Sequence, residues 1–160
     1  MDNQQERLVS LEYIAGLITG EGCFYLAIQQ RRNKSPRVIP GFRIFMNDQE
    51  TILAASRTLE AHNLPVYLYE RKDGGLGIHA TGFKRAKRYT ETFIPLLTGN
   101  KKCAAEIVDS FIDSRMSKNR MEKFSSDELA LIESLRRTNG NKNGRKTPTS
   151  ILRDYTPNIG

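Results

Sequence analysis

The segment YIAGLITGEG, residues 13–22, decides the fold class of this chain. Apolar and small residues recur through it and just before it at helical spacing, namely Leu8, Leu11, Ala15 and Ile18. This spacing predicts a helix over residues 8–20 with its apolar stripe in the core. The glycines at 20 and 22 permit a backbone turn that a continuing helix would not, so we expect the helix to end there.

Immediately after this helix the apolar period changes to two. Phe24, Leu26 and Ile28 alternate with polar or small residues, which predicts a strand over 23–31 with one face in the core. A turn-rich connection at 33–36 leads to a second predicted strand over 38–46. The residues expected to point inward from this strand are Phe42, Ile44 and Met46.

After the second strand, the sequence predicts another helix, another pair of strands and then three more helices. A helix is predicted over 47–62 with Asp48 as its N-cap, and strands over 66–71 and 77–81 flank a glycine-rich hairpin turn. Helices follow over 83–97 and 103–116, and a fifth, capped from Ser125, runs to about residue 137. The order of elements predicts an α+β fold, with a core over 1–138 and a basic, flexible tail over 139–160.

Composition limits the class of protein. A chain of 160 residues is long enough for one domain, and its apolar runs are too short for a membrane span. The polar start, Met1 to Arg7, lacks a secretory signal, so we expect an intracellular protein. Two cysteines, Cys23 and Cys103, are too few for a disulfide framework and suit a reducing compartment.

The charge distribution indicates a polyanionic partner. The net charge is +7 and the pI is about 9.6. No acidic residue lies between Glu21 and Asp48, whereas basic residues recur there and beyond, at Arg31, Arg32, Lys34, Arg37, Arg43, Lys84, Arg85, Lys87, Arg88, Lys101, Lys102, Lys142, Arg145 and Lys146. Clusters of one sign are typical of a nucleic-acid footprint.

The motif at 13–22, followed at once by an alternating strand, resembles the motif that names the LAGLIDADG homing endonucleases. The resemblance extends over residues 8–116 and implies an αββαββα core, an antiparallel four-stranded sheet that binds DNA, and extra helices at the C-terminal end. It also implies site-specific cleavage of double-stranded DNA by metal-assisted phosphodiester hydrolysis. Thr19 departs from the family pattern, which often has an aspartate there.

Small residues on the motif helix favour a homodimer. Without bulky side chains, two copies of the helix can pack closely about a twofold axis. The expected interface residues are Ala15, Gly16, Thr19 and Gly20. Such a pair of helices would deliver both copies of Glu21 side by side, and Mg²⁺ would relieve the repulsion between the carboxylates. The resemblance makes Glu21 the metal ligand, with the Gly20 carbonyl beside it; Mn²⁺ and Ca²⁺ suit the same oxygen ligands.

The resemblance implies two further catalytic positions. One is a lysine near the start of the helix after the third, where Lys101 and Lys102 are both candidates. The other is a polar residue just after the second strand, where Asn47, Asp48 and Gln49 compete. Helix capping is the stronger interpretation of Asp48.

DNA recognition is expected on the outer sheet face and the tail. The candidate residues are Tyr25, Gln29, Arg31, Arg32, Arg37, Arg43, Tyr67, Tyr69, Arg71, His79, Lys142, Arg145 and Lys146. A twofold axis predicts a long, nearly palindromic target with staggered cuts, about eight base pairs per subunit. The alternatives are a maturase that binds intron RNA and a DNA-binding protein of the same fold that does not cut. We expect an intron-encoded protein of a prokaryotic cytoplasm or an organelle, with no membrane partner.

Overall fold

The computed structural model describes residues 7–119 and 122–140. Its elements are α1 (Leu11–Glu21), β1 (Gly22–Arg31), β2 (Lys34–Met46), α2 (Gln49–Ala61), β3 (Tyr67–Glu70), β4 (Leu76–Thr81), α3 (Phe83–Phe93), a 3-10 turn (Ile94–Leu96), α4 (Gly99–Met116) and α5 (Ser126–Thr138). The predicted α+β class and αββαββα order are therefore confirmed. Within the described ranges, no helix is long and apolar enough to cross a membrane.

The four strands form one antiparallel sheet in the order β1-β2-β4-β3. Its inner face carries the predicted apolar residues, and Phe24, Phe42 and Ile44 are completely buried. The rings of Phe42 and Tyr89 stack with centroids 4.5 Å apart. The hydroxyl of Tyr89 donates to the carbonyl of Pro65 at 2.6 Å, so this large core residue leaves no polar atom unpaired.

The first helix starts later than the apolar pattern predicts. Ser10 is its N-cap, and the Ser10 side chain accepts a hydrogen bond from the backbone N–H of Tyr13. The preceding residue is tied to another helix instead, because the N–H of Val9 donates to Thr58 Oγ1 at 2.9 Å. Competing capping and tertiary bonds therefore set this boundary, which apolar spacing alone does not register.

The predicted turn at 33–36 is wrong. Arg31 pairs with Lys34, so the reversal takes only the two residues between them, and β2 begins at Lys34. Asn33 adopts a φ of 58°, a left-handed conformation that asparagine tolerates and that suits a tight hairpin. The proline that favoured a longer loop, Pro36, lies in the part of β2 that has no pairing with β4, where its missing N–H costs less.

The start of the fourth helix was also predicted wrongly. The helix begins at Gly99 rather than Cys103, with Thr98 as its N-cap. Gly99 has a φ of 64°, which allows the sharp entry from the 3-10 turn around Pro95. Because the helix begins earlier, Lys101 and Lys102 lie in its first turn rather than in a loop.

The C-terminal helix begins as predicted. Ser125 and Glu128 form a reciprocal capping box at the start of α5. This helix packs on α4 through a second apolar cluster that contains Val38, Phe111 and Ile132. Through that cluster the C-terminal helices are joined to the sheet.

Candidate active site and nucleic-acid interface

One face of α1 points into the core and the opposite face is free. Ile14, Ala15 and Ile18 are buried, whereas Gly16, Thr19 and Gly20 are exposed. Ala15, which was expected at the dimer interface, lies on the core side of α1 within this chain, and its contact with a partner helix stays a prediction. It is 4% exposed and packs in the main core, because it lies on the same side of the helix as Ile18.

The free face of α1 has room for close packing. A Cβ at Gly16 or Gly20 would meet nothing within 4 Å. One turn before Gly16, Tyr13 leaves 47% of its surface exposed, which is unusual for a large aromatic residue. We refer to the exposed residues Tyr13, Gly16, Thr19 and Gly20 as the open face of α1.

The change from helix to strand at Glu21 and Gly22 is abrupt. A Cβ at Gly22 would lie 2.7 Å from the Cα of Ile18, so only glycine permits this close approach. Glu21, the last residue of α1, is left exposed at the edge of a pocket. The pocket is also lined by Phe45, Met46, Asn47 and Asp48, from the end of β2 and the start of α2.

A lysine of α4 reaches the same place. Lys101 Nζ donates a hydrogen bond to the carbonyl oxygen of Gly22, the residue after Glu21. Lys102 makes no corresponding contact with the described part of the chain. Of the two lysines that the sequence leaves as alternatives, Lys101 is the one that lies beside the end of α1.

The polar residues after β2 have different surroundings. Asp48 caps α2, accepting hydrogen bonds from the N–H of Thr51 at 3.3 Å and from its hydroxyl at 2.9 Å. Gln49 Nε2 donates to the carbonyl of Gly74 at 2.8 Å, in the turn between β3 and β4. Within the described ranges, the amide of Asn47 forms no hydrogen bond, so this side chain is available to a ligand in the pocket.

The carboxylate and amide oxygens around this pocket are hard donors of the kind that Mg²⁺ and Ca²⁺ prefer. The described residues contain no group of three or more His, Cys, Asp or Glu side chains that could hold a metal ion. In the part of the chain that the structure describes, the pocket therefore offers the carboxylates of Glu21 and Asp48 rather than a complete cage. These residues fit a divalent ion whose remaining ligands come from elsewhere.

The outer face of the sheet combines aromatic rings with arginines. The ring centroids of Tyr69 and His79 are 5.1 Å apart, and those of Tyr67 and His79 are 5.7 Å apart. The guanidinium of Arg43 lies over the ring of Tyr25 at 5.3 Å. Burial raises the pKa of Tyr25, and the charge of Arg43 opposes part of that rise, so this phenol remains a hydrogen-bond donor at neutral pH.

Several cations on the helical side of the molecule are held in ion pairs. On the helical side, Lys87 contacts Asp109 at 2.9 Å and Asp113 at 2.7 Å, and Glu128 pairs with cations of α4 and its C-terminal end. In the described part of the chain, Arg43 has no carboxylate partner on the outer sheet face. The positive charge of Arg43 is therefore available to a polyanion.

The other predicted DNA-binding residues follow the hairpins. Arg37 Nε donates to Gln29 Oε1 at 2.7 Å across β1 and β2. Arg31 is partly buried at the end of β1, and Arg32 is exposed in the turn. The tail residues Lys142, Arg145 and Lys146 lie outside the described ranges.

Some residues of this surface were not among the predicted site residues. Arg85 of α3 lies over the ring of Tyr67 at 5.6 Å, and Phe45 both lines the Glu21 pocket and lies beneath Arg71 at 4.1 Å. The outward position of Phe45 in β2 was a usable signal for its role. Arg85 belongs to a basic cluster of the predicted nucleic-acid footprint, but its contact with Tyr67 depends on how α3 packs beside β3.

Comparison with solved structures identifies the same architecture in proteins that act on DNA. Homing endonuclease I-CvuI in complex with its target matches with a TM-score of 0.74 and 15% identity, over 89% of each chain. Homing endonuclease I-TnaI matches with a TM-score of 0.67 and 18% identity, over 92% of this chain and 98% of that one. The LAGLIDADG homing endonuclease I-LtrWI, bound to target DNA, matches with a TM-score of 0.64 and 23% identity, over 89% of this chain and 47% of that one.

Neither the comparison with protein-family models nor the comparison with curated proteins gives a match. Likeness to the solved structures at these low identities shows the fold. The chain has the fold of the LAGLIDADG homing endonucleases.

Proposed function

We propose that this chain is one subunit of a homodimeric endonuclease that cuts a long, nearly palindromic DNA site by metal-assisted phosphodiester hydrolysis. The observation that carries this proposal is the position of Glu21. The residue ends the helix with the open face and lies in a pocket with Asn47, next to the glycine that Lys101 contacts. The likeness to DNA-bound homing endonucleases supports the same activity.

The homodimer accounts for the open face of α1. Gly16 and Gly20 would let two copies of the helix pack closely about a twofold axis, and Tyr13 would then lose its exposure to water. The chain matches about half the length of I-LtrWI, as expected if two copies of it do the work of one longer chain. A dimer would also bring the two copies of Glu21 together.

Glu21 and the carbonyl of Gly20 would hold Mg²⁺, with Mn²⁺ and Ca²⁺ as alternative occupants. When bound, the ion makes water a better nucleophile and stabilises the charge on the phosphate oxygens. Two neighbouring glutamates repel each other, and each lies at the negative end of a helix, so both favour a shared cation. DNA phosphates and the partner subunit would complete the ligand set that one chain lacks.

The remaining pocket residues would assist in distinct ways. The ammonium of Lys101 lies close enough to stabilise negative charge that builds up on a phosphate held beside Glu21. The amide of Asn47, which forms no hydrogen bond within the described ranges, could orient an attacking water, whereas Asp48 keeps its role as a helix cap. Two such pockets related by a twofold axis would cut the strands at staggered positions.

The outer sheet face would bind the DNA. Its strands are long enough to follow a major groove, and Arg43 has no acidic partner in the described part of the chain to compete with phosphate or bases. The cations of the tail, Lys142, Arg145 and Lys146, would add contacts to the backbone of the duplex. Binding should therefore weaken steeply as the salt concentration rises.

The decisive experiment is cleavage of a randomised duplex library with Mg²⁺, comparing the natural protein with Glu21→Gln and sequencing the cut ends. Staggered cuts at one long, nearly palindromic site, lost in the variant while binding persists, would support the proposal. Tight, salt-sensitive binding without cutting by either protein would indicate a DNA-binding protein that does not cut. Competition by structured intron RNA would indicate a maturase.

A further inference from the structure

Two arginines on the outer sheet face are built into three-layered stacks. Arg71 Cζ lies 4.1 Å from the ring centroid of Phe45, and Arg43 Cζ lies 5.3 Å from that of Tyr25. Each ring in turn covers a glycine. A Cβ at Gly75 would collide with the ring of Phe45, and one at Gly41 would collide with the ring of Tyr25.

The glycines explain why the rings can serve as platforms. Tyr25 lies directly opposite Gly41 in the pairing of β1 with β2, so the missing side chain leaves a place for the ring against the strand. A ring in that position turns one face to the backbone and offers the other to a cation. Without the glycine, the ring would have to move away from the strand.

A guanidinium on such a platform is oriented in advance. When a guanidinium lies flat on a ring, its N–H donors point outward in its plane, around the edge. Fixing the side chain before binding reduces the entropy that is lost when the complex forms. The edge of a guanidinium matches two adjacent acceptors, and the O6 and N7 atoms of guanine in the major groove are such a pair.

Competing interactions around these arginines are weak. Arg71 Nε lies 3.7 Å from Asp73 Oδ2, and both side chains are more than half exposed, so this pair adds little stability. Arg43 has no carboxylate partner in the described ranges. Both guanidinium groups can therefore exchange their solvent contacts for base contacts at low cost.

We propose that Arg43 and Arg71 each specify a guanine in every half of the DNA target, and that Tyr25 and Phe45 are positioning residues that hold them. This inference rests on the proposed DNA-binding function and adds the bases that the sheet would select. Because Phe45 also lines the pocket of Glu21, the guanine specified by Arg71 should be the one nearer the cleaved phosphate. Contacts to phosphate alone carry no sequence information, so a preference for guanine distinguishes base contacts from phosphate contacts.

The test is selection of bound sequences from a randomised duplex library, with binding rather than cleavage as the readout. It uses the full chain carrying Glu21→Gln as the parent, which should select two guanines in each half-site. Arg71→Lys should lose the preference for one of them by about tenfold to a hundredfold, and Arg43→Lys should lose the other. Arg32→Ala, in the exposed hairpin turn, is the control and should weaken binding equally for all sequences.

Substitutions of Phe45 test whether its ring positions Arg71. Phe45→Leu should reduce the same guanine preference as Arg71→Lys, whereas Phe45→Tyr, which keeps a ring, should retain it. Adding Phe45→Leu to Arg71→Lys should cause no further loss, because both changes act on one contact. Equal losses from Phe45→Leu and Phe45→Tyr would overturn the role of the ring.

Two outcomes separate this inference from the proposed function. Selection of a sequence that stays unchanged in Arg43→Lys and Arg71→Lys would overturn the inference and leave the endonuclease proposal intact. Failure of the parent to select any duplex sequence would overturn both proposals.

Discussion

Tyr69 lies directly opposite Gly77 in the pairing of β3 with β4, and its ring covers the place where a side chain at Gly77 would stand. Because Gly77 has no positive φ, alanine fits its backbone, and only the ring opposes the change. Because the colliding atoms are the far end of the partly exposed Tyr69 side chain, we expect Gly77→Ala to lower the free energy of unfolding by about 1 kcal/mol. Urea denaturation followed by circular dichroism measures this loss.

The control for this prediction removes the ring. In a Tyr69→Ala background the space above Gly77 is open, so adding Gly77→Ala should cost little or should stabilise the strand. A double-mutant cycle gives the coupling between the two positions. If Gly77→Ala lowered the free energy of unfolding equally in both backgrounds, the Tyr69 ring would not be the cause of the loss.

We expect a bulky substitution on the open face of α1 to prevent dimer formation without unfolding the subunit. A Cβ at Gly16 would meet nothing within 4 Å, and leucine is the better helix former by nearly 1 kcal/mol, so Gly16→Leu should leave the fold of a subunit of the proposed homodimer intact. The same side chain would prevent two helices from packing closely. Sedimentation should show a monomer, whereas Ala130→Leu, at an exposed position on α5, should remain a dimer.

Lys101 and Lys102 should differ sharply in catalysis. Under the proposed function, Lys101→Met should lower the single-turnover cleavage rate by about a hundredfold, because it removes a positive charge beside Glu21. Lys102→Met removes the same charge from the same helical turn without the contact to Gly22. Similar losses in both variants, measured with saturating protein, would contradict the assignment to Lys101.

Glu128 should make the free energy of unfolding depend on pH in the acid range. Burial alone would raise its pKa, but the Ser125 N–H, Lys118 and Arg115 outweigh burial and hold the pKa below its usual value near 4.5. A carboxyl group with a lowered folded-state pKa stabilises the protein above its unfolded-state pKa, and this contribution is lost as the pH falls through the folded-state value. The group is completely buried, but its partners Arg115 and Lys118 are partly exposed, so Glu128→Gln should cost about 1–2 kcal/mol at neutral pH.

The pH profile provides the check on this prediction. Urea unfolding of the natural protein and of Glu128→Gln should differ most at neutral pH, and the difference should shrink below about pH 4.5 as Glu128 becomes protonated. Asp127→Asn, an exposed neighbour in the same first turn, should show no comparable effect. A difference that stays constant down to low pH would assign the loss to packing instead of charge.

The order of elements was readable from the sequence because it depends on local periods. The helix of residues 11–21 and the strand after it differ in the spacing of apolar residues, and Asp48 and Ser125 mark the starts of their helices. Pro36 misled the prediction, because whether a strand tolerates proline depends on which neighbour its edge pairs with. That pairing is a property of the sheet rather than of the segment.

Only part of the candidate site could be predicted from the sequence, because the rest depends on tertiary packing and strand register. Glu21 follows from a motif, but the choice of Lys101 over Lys102 depends on where α4 begins and how it packs against β1. Ala15 is buried within its own chain, and the sequence does not distinguish it from the residues of the open face, because small size suits a helix interface and a tight core equally well. The stack of Tyr25 on its glycine depends on the register of β1 with β2, which no local pattern within either strand fixes.

Asn139, the C-cap of α5, connects this last helix to the strand that follows Glu21. Its Nδ2 donates to the carbonyl of Phe24 at 3.0 Å, and β1 is an edge strand whose Gly22 carbonyl is bound by Lys101. Asn139→Ala leaves the Phe24 carbonyl without this donor and should cost about 1 kcal/mol of unfolding free energy. Asn139→Asp should cost more, because a carboxylate would face a carbonyl oxygen with no proton to share.

Urea denaturation should therefore find the natural protein most stable, Asn139→Ala less stable and Asn139→Asp least stable. If Asn139→Asp were as stable as the natural protein, this bond would be excluded as the link between α5 and β1.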